Sequence, residues 1–230
     1  MPNYPDSIQD LEPLSGLYIR KKFLNEVRTF LDQKHPQGWC IVAIDIENFK
    51  LFNDWYGQDS GDYLLLEIAA YLRNLHQEDN YITGHFSADD FFICMPDDSH
   101  KLRHIYATIY HYIDKLEQDD SFLPSIGVYQ IEDESLNVST MCNNAQIASG
   151  AVRGKLNHRI CRFSEQIMQQ LEKHQRLLSD VRIGIQRGEF TFYLQPKCNS
   201  LTGNIVSMEA LVRWNHPEMG LVSPSRFIPL

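Results

Sequence analysis

Residues 39 to 44 read Trp-Cys-Ile-Val-Ala-Ile and then break at once into Asp45, Ile46 and Glu47. An apolar run without polar alternation predicts a strand covered on both faces, which needs a layer of structure above it and another below. The rest of the chain must supply those layers. Asp45 and Glu47 are two apart on extended backbone, so the strand delivers two carboxylates on one face at its carboxyl end.

The flanking segments alternate as an α/β sandwich requires. Within RKKFLNEVRTFLDQ, residues Phe23, Val27 and Phe30 recur at helical spacing, and Gly57 and Gly61 punctuate an expected loop before the apolar helix LLLEIAAYLRNL. Two short apolar segments, 81–86 and 91–95, enclose Ser87, Ala88, Asp89 and Asp90, which predicts a hairpin with acidic residues at its turn. An amphipathic helix over 101–117 is expected from Leu102, Ile105, Ile109 and Ile113. A strand over 124–131, a helix over 135–151 and a short strand over 159–163 complete a first domain at 10–163. A polar amphipathic helix ending at Gly188 then fills 164–188. Two strands, 189–195 and 205–214, turn at Thr202, Gly203 and Asn204 and open a last unit at 189–230. Two strands need further partners for independent stability, so this unit reads as the truncated start of something larger.

The formal charge of −9 sets the surface against a phosphate backbone and excludes nucleic acid as a partner. A single anionic nucleotide can still bind where backbone amides, a divalent metal or a local cation offsets that sign. Cys40, Cys94, Cys142, Cys161 and Cys198 form no CxxC pair, and Cys40 and Cys94 lie in apolar runs, as expected of reduced thiols in a cytoplasmic protein. No apolar stretch approaches the roughly 18 residues of a membrane span, and MPNYPDSIQD has neither the basic nor the apolar region of a signal peptide.

If the 81–95 hairpin pairs beside the central strand, Asp45, Glu47, Asp89 and Asp90 converge. Oxygen ligands of this kind suit hard divalent cations that orient phosphoryl groups. Acidic residues at strand ends and turns are equally at home in plain water.

The order of several motifs resembles the GGDEF family of diguanylate cyclases. Glu12 to Leu17 resembles that family's DxLTGL opening, AIDIENFKLFNDWYGQDSGDYLLLEIA its DxDxFKxxND…G…GD signature, and Ser125 to Val128 its SIGV strand. The resemblance implies a palm-type cyclase sandwich with a mainly antiparallel central sheet, in which a dimer condenses two GTP molecules to cyclic di-GMP. It further implies a Mg²⁺ or Mn²⁺ site at Asp45, Asp89 and Asp90, and guanine recognition by Asn53 and Asp62. An amide and a carboxylate together match guanine's carbonyl and its two kinds of N–H donor. The same two residues also suit a turn and a helix cap.

The signature itself departs from the family. Ser87, Ala88, Asp89, Asp90 and Phe91 stand where the family has two glycines, an acid, glutamate and phenylalanine. Glycine permits positive φ and lets a backbone approach a phosphate without a Cβ in the way. In AVRGKLNHR, Val152 and Leu156 occupy positions where a lysine and an arginine grip the triphosphate, with Lys155 as a partial substitute. The family's RxxD product-inhibition motif is replaced by Glu78 and Tyr81 at its two ends. The expectation is a degenerate, catalytically silent domain.

Residues 190–230 resemble the opening of EAL phosphodiesterase domains, with YxQPK, the TG turn, EALxRW and SPxxFIP in order. That resemblance implies the first strands of a TIM-type barrel, with Glu209 as a metal ligand, and Gln195 and Arg213 as contacts to cyclic di-GMP. Three functions are compatible with this reading. One is a GTP-binding regulatory module for a phosphodiesterase, the second a weakly active cyclase, and the third a non-binding dimerisation module.

Overall fold

The computed structural model describes residues 8–35, 37–78, 81–116 and 121–228. Residues 1–7, residue 117 at the end of the expected 101–117 helix, and Pro229 and Leu230 of the closing EAL motif lie outside the described residues. The chain divides into two compact units, 1–167 and 168–230.

In the first unit, α1 (Arg20–Lys34), β1 (Trp39–Ile46), α2 (Phe49–Tyr56) and α3 (Gln58–Glu78) precede a hairpin of β2 (Ile82–Ser87) and β3 (Asp90–Pro96). There follow α4 (Ser99–Asp114), β4 (Pro124–Gln130), α5 (Val138–Gly150) and β5 (Ile160–Arg162). The five strands form one sheet in the order β2-β3-β1-β4-β5, antiparallel except for the β4–β5 pair. β1 is therefore central, as its unbroken apolar run requires.

Each face of β1 feeds a different core. Cys40, Val42, Ile44 and Ile46 pack with Phe52, Leu64, Ile68, Ile105 and Ile109 from α2, α3 and α4. Ile41 and Ala43 pack with Phe23, Val27 and Leu31 of α1 and Met141, Cys142 and Ala145 of α5. The third buried position of α1 is Leu31 rather than Phe30, which is half-buried and lies against Trp39 at 4.4 Å between ring centroids. Two helix starts are capped by side-chain acceptors. Asp98 accepts from the His100 and Lys101 amides at α4, and Asn137 from the Ser139 amide at α5.

The expected loop around Gly57 and Gly61 is mostly helix. α2 occupies Phe49–Tyr56, Gly57 turns the chain at φ 88°, and Gly61 already lies in the first turns of α3. Of the five thiols, Cys40, Cys94 and Cys142 are buried and all are free, but Cys198 is exposed.

α6 (Glu165–Gln186), which falls in the second unit from Met168 on, leads into β6 (Phe190–Cys198), β7 (Ile205–His216) and the short β8 (Gly220–Val222), an antiparallel sheet in that order. Its small core gathers Trp214, Val222 and Phe227 with Leu177, Val181, Phe190 and Val212. Trp214 donates from Nε1 to Glu189 Oε2 at 3.0 Å, which satisfies the one polar atom of a fully buried ring.

A glycine sets the close approach of α5 to β4. A Cβ on Gly127 of β4 would lie 1.8 Å from the Ala145 carbonyl oxygen and 2.3 Å from the Ser149 amide of α5, both fixed backbone. Gly127→Ala is expected to destabilise the first unit by about 2 kcal/mol or more, as overpacking does. Gly150→Ala meets nothing within 4 Å and is expected to gain about 0.5–1 kcal/mol from helix propensity. Urea denaturation midpoints of the two variants, moving in opposite directions, check this.

Candidate nucleotide site at the end of the central strand

β1 ends at Ile46, and Asn48 turns the chain into α2 through left-handed backbone at φ 61°, a conformation asparagine tolerates. The antiparallel partner β3 places its turn beside this end, with Ile44 opposite Phe91. Asp45 and Asp89 are thereby brought together. Asp89 accepts the Ile46 amide at 2.9 Å. Burial, and next the charge of Asp45, push its carboxyl up to about 6. Asp90, at the start of β3, is turned toward α5, accepting from Gln146 Nε2 at 3.4 Å and from Ser87 Oγ at 3.2 Å.

Two arginines that sequence reasoning did not single out engage the other carboxylates. Arg153 holds Asp45 by two bonds, Nη2 to Oδ1 at 2.7 Å and Nε to Oδ2 at 3.2 Å, and Ser125 Oγ adds a third at 3.2 Å. Burial lowers the Arg153 pKa, but Asp45, Asp89 and Glu47 together leave it above the usual guanidinium value. Arg159 is buried and pairs with Glu47 Oε2 at 2.8 Å, while Glu47 Oε1 accepts the Gly154 amide at 2.8 Å. The only sequence signal for these arginines was their place in AVRGKLNHR, next to the positions named. Of those positions, Val152 is buried and Leu156 is 76% exposed.

Ala88, at the second glycine position of the signature, adopts φ 44°. The turn thus keeps a left-handed conformation without glycine. Buried His85 braces it from beneath, with Nε2 2.6 Å from the Ala88 carbonyl, Nδ1 3.0 Å from Glu12 Oε2, and its ring stacked on Phe91 at 4.3 Å.

Asn53 and Asp62 line one cavity of about 460 Å³ together with Phe49, Lys50, Leu65, Ala88 and Asp89. Asn53 Oδ1 is buried there and has no hydrogen-bond partner among the described residues. Gly61 makes room for it, since a Cβ at that position would sit 1.8 Å from Oδ1. Among the described residues Asp62 accepts only from Gln58 Nε2, at 3.3 Å, and keeps acceptor capacity for a ligand.

In the second unit, β6 and β7 pair Gln195 directly with Glu209 and Thr191 with Arg213. The three expected contacts therefore share one face of the sheet. Glu209 forms an ion pair with Lys197 at 3.0 Å, and the Arg213 guanidinium lies over the Tyr193 ring at 5.5 Å.

The sheet order and the site at the end of β1 define a palm-type α/β fold of the nucleotidyl cyclase kind. The family model for the diguanylate cyclase GGDEF domain matches residues 9–159, and that for the EAL domain matches residues 178–230. The chain belongs to the GGDEF family and carries part of an EAL domain behind it. The bifunctional diguanylate cyclase/cyclic di-GMP phosphodiesterase MucR of Pseudomonas aeruginosa is 26% identical over 203 residues, covering 86% of this chain and 29% of that protein. The cyclic di-GMP phosphodiesterase PdeR of Escherichia coli is 25% identical over 228 residues, covering 96% and 34%. This chain spans about 30% of the length of such curated relatives. Among solved structures, the S helix-GGDEF-EAL portion of Vibrio cholerae LapD bound to c-di-GMP superposes with a TM-score of 0.50 at 20% identity, over 95% of this chain and 52% of that one. The GGDEF domain of DgcB from Caulobacter crescentus, in complex with c-di-GMP, gives 0.53 at 16% identity over 70% and 97%. At these identities the superpositions bear on fold alone.

GGDEF and EAL domains generally use divalent metal ions. The carboxylates of the first unit do not fit one as they stand. Arg153 occupies both oxygens of Asp45, Arg159 and Gly154 occupy Glu47, and Asp90 is turned to Gln146. Among the described residues no group of three or more His, Cys, Asp or Glu is placed to hold a metal ion.

Arg159 also donates to the carbonyls of Leu123, Pro124, Val152 and Lys155. Arg159→Met would strip a partner from Glu47 and leave those carbonyls short of donors. The expected loss is about 3–5 kcal/mol, as for a broken buried ion pair, read as a lowered denaturation midpoint with an unchanged m-value.

Proposed function

We propose that the first domain binds a guanine nucleotide without condensing it, and serves as the regulatory module of a tandem GGDEF–EAL cyclic-di-GMP phosphodiesterase. The observation that carries this reading is the orphaned acceptor Asn53 Oδ1, buried in the same cavity that Asp62 lines. An unpaired buried acceptor costs about 1–3 kcal/mol. Guanine relieves that cost, because its imino and amino N–H groups donate to the two acceptors. Adenine lacks the imino donor and places an acceptor nitrogen there beside one amino N–H, so one of the two protein acceptors stays unpaired.

The loss of condensation is supported by the phosphate side. Val152 faces the core, Leu156 is aliphatic and exposed, and Arg153 is committed to Asp45. Ala88 adds a Cβ where a phosphate would approach. Lys50 lines the cavity and offsets part of the acidic surface. For the second domain, Glu209 as metal ligand, with Gln195 and Arg213 as contacts to cyclic di-GMP, accords with their shared face. The phosphodiesterase names of PdeR and of NbdA from Pseudomonas aeruginosa suit that assignment. One observation favours a second reading, a slow diguanylate cyclase: Ala88 retains the positive φ that the family glycine allows.

GTP is expected to bind at least about tenfold more tightly than ATP, the equivalent of about 1.4 kcal/mol. Asp62→Ala should erase that preference. Gly61→Ala should weaken GTP by pushing the Asn53 amide aside while leaving the fold intact. Calorimetric titrations check all three, and equal affinity for the two nucleotides overturns the guanine reading. Incubation with GTP and Mg²⁺ followed by chromatography should give no cyclic di-GMP; turnover of about 1 per second, ordinary for an enzyme, would favour the cyclase instead.

A further inference from the structure

The residue that displaces the expected metal is itself a cation. Arg153 meets Asp45 through two parallel donors, the arrangement in which guanidinium binds carboxylate best. Asp45 is the less exposed partner, at 12% against 57% for Arg153, so the pair lies where water screens it only in part. Asp89 lines the nucleotide cavity and Arg153 sits within its electrostatic reach. The guanidinium thus places one positive charge, tethered to the fold, directly on Asp45. Its bonds to Asp45 use Nε and Nη2, and Nη1 makes no hydrogen bond or ion pair among the described residues.

We propose that Arg153 takes the place of a divalent cation in this domain: it neutralises Asp45, excludes free metal, and offers Nη1 to a nucleotide phosphate. A metal ion entering at Asp45 must break both charge-assisted bonds and leave a guanidinium next to a dication, two unfavourable changes at once. Nucleotide binding then requires no metal, and the acidic turn repels the triphosphate less than its formal charge suggests. The phosphate part rests on the guanine-nucleotide reading given above, whereas the exclusion of metal does not.

The two parts have separate tests. For metal, Mn²⁺ alone is added to the whole chain, and the electron paramagnetic resonance signal of free aqueous Mn²⁺ is followed into the millimolar range. With Glu209→Gln present throughout to remove the exposed carboxylate of the second unit, the otherwise wild-type chain should leave that signal undiminished, Arg153→Ala should reduce it, and Asp45→Asn added to Arg153→Ala should restore it. Mn²⁺ captured by wild type and lost in Asp45→Asn overturns the proposal, and so does failure of Arg153→Ala to capture any. Circular dichroism reports whether Arg153→Ala folds, and Arg153→Gln, which keeps most of the stem, replaces it if it does not. For nucleotide, GTP is titrated in EDTA and again in excess Mg²⁺. Affinities within about twofold of each other, and a loss of about tenfold or more in Arg153→Ala, are expected from one charge-assisted hydrogen bond. Binding that appears only with Mg²⁺ overturns the proposal. No binding of GTP under either condition defeats the guanine reading and the phosphate role together, and leaves the Mn²⁺ experiment to decide the rest.

Discussion

The guanidinium of Arg159 holds the site together. It is 4% exposed and carries a fixed fork of donors, each of which needs an acceptor once water is gone. Glu47 comes from the end of β1, the Leu123 and Pro124 carbonyls from the start of β4, and the Val152 and Lys155 carbonyls from the turn after α5. One side chain therefore ties three chain segments that meet nowhere else in sequence. The 151–159 segment is drawn against the end of β1, Val152 is turned into the core, and Arg153 arrives over Asp45. The Arg153 pair is a consequence of that docking, since nothing in its local sequence aims it at a residue 108 positions away.

The hairpin turn shows how a signature can lose its glycines and keep its shape. A non-glycine residue in left-handed backbone carries a cost of about 1–2 kcal/mol. His85 supplies the compensation, because its bond to the Ala88 carbonyl, its contact with Glu12 and its stacking on Phe91 hold the turn from below. What alanine changes is the space above the turn. The same path of backbone now carries a methyl group at an exposed position.

Those parts of the structure that depend on local pattern were legible in the sequence. The double-sided burial of β1 followed from six apolar residues in a row, the hairpin from two apolar runs about an acidic turn, and α4 from its three- and four-residue spacing. Asn53 and Asp62 could be placed in one site only through family resemblance, because their shared cavity depends on how α2 packs on α3. That helix pair was itself hidden. The two glycines and the polar residues between Asn53 and Asp62 read as a loop, whereas Gly61 is there to admit the Asn53 amide. Arg153 and Arg159 were invisible for a different reason: an arginine in a polar segment carries no mark of which distant carboxylate it will meet. The short β8 was missed because three residues carry no period to detect.

The two units contain the same pairing in different surroundings, and the surroundings decide what each pair permits. Glu209 meets Lys197 at 3.0 Å with side-chain exposures of 48% and 60%, where an ion pair contributes about 0–1 kcal/mol and exchanges readily with solvent. The flexible ammonium contacts one carboxylate oxygen of Glu209, and the other has no hydrogen-bond partner among the described residues. Asp45 has both oxygens engaged, a quarter of Glu209's exposure, and a hydroxyl donor besides. A dication competing for Glu209 displaces a weakly held lysine; at Asp45 it must displace a two-point arginine held by a loop that Arg159 locks in place. Identical chemistry at the level of acid and base thus yields an exchangeable carboxylate in the EAL portion and an internally neutralised one in the GGDEF domain. The difference lies in burial, in the number of bonds and in the rigidity of the segment that carries the cation.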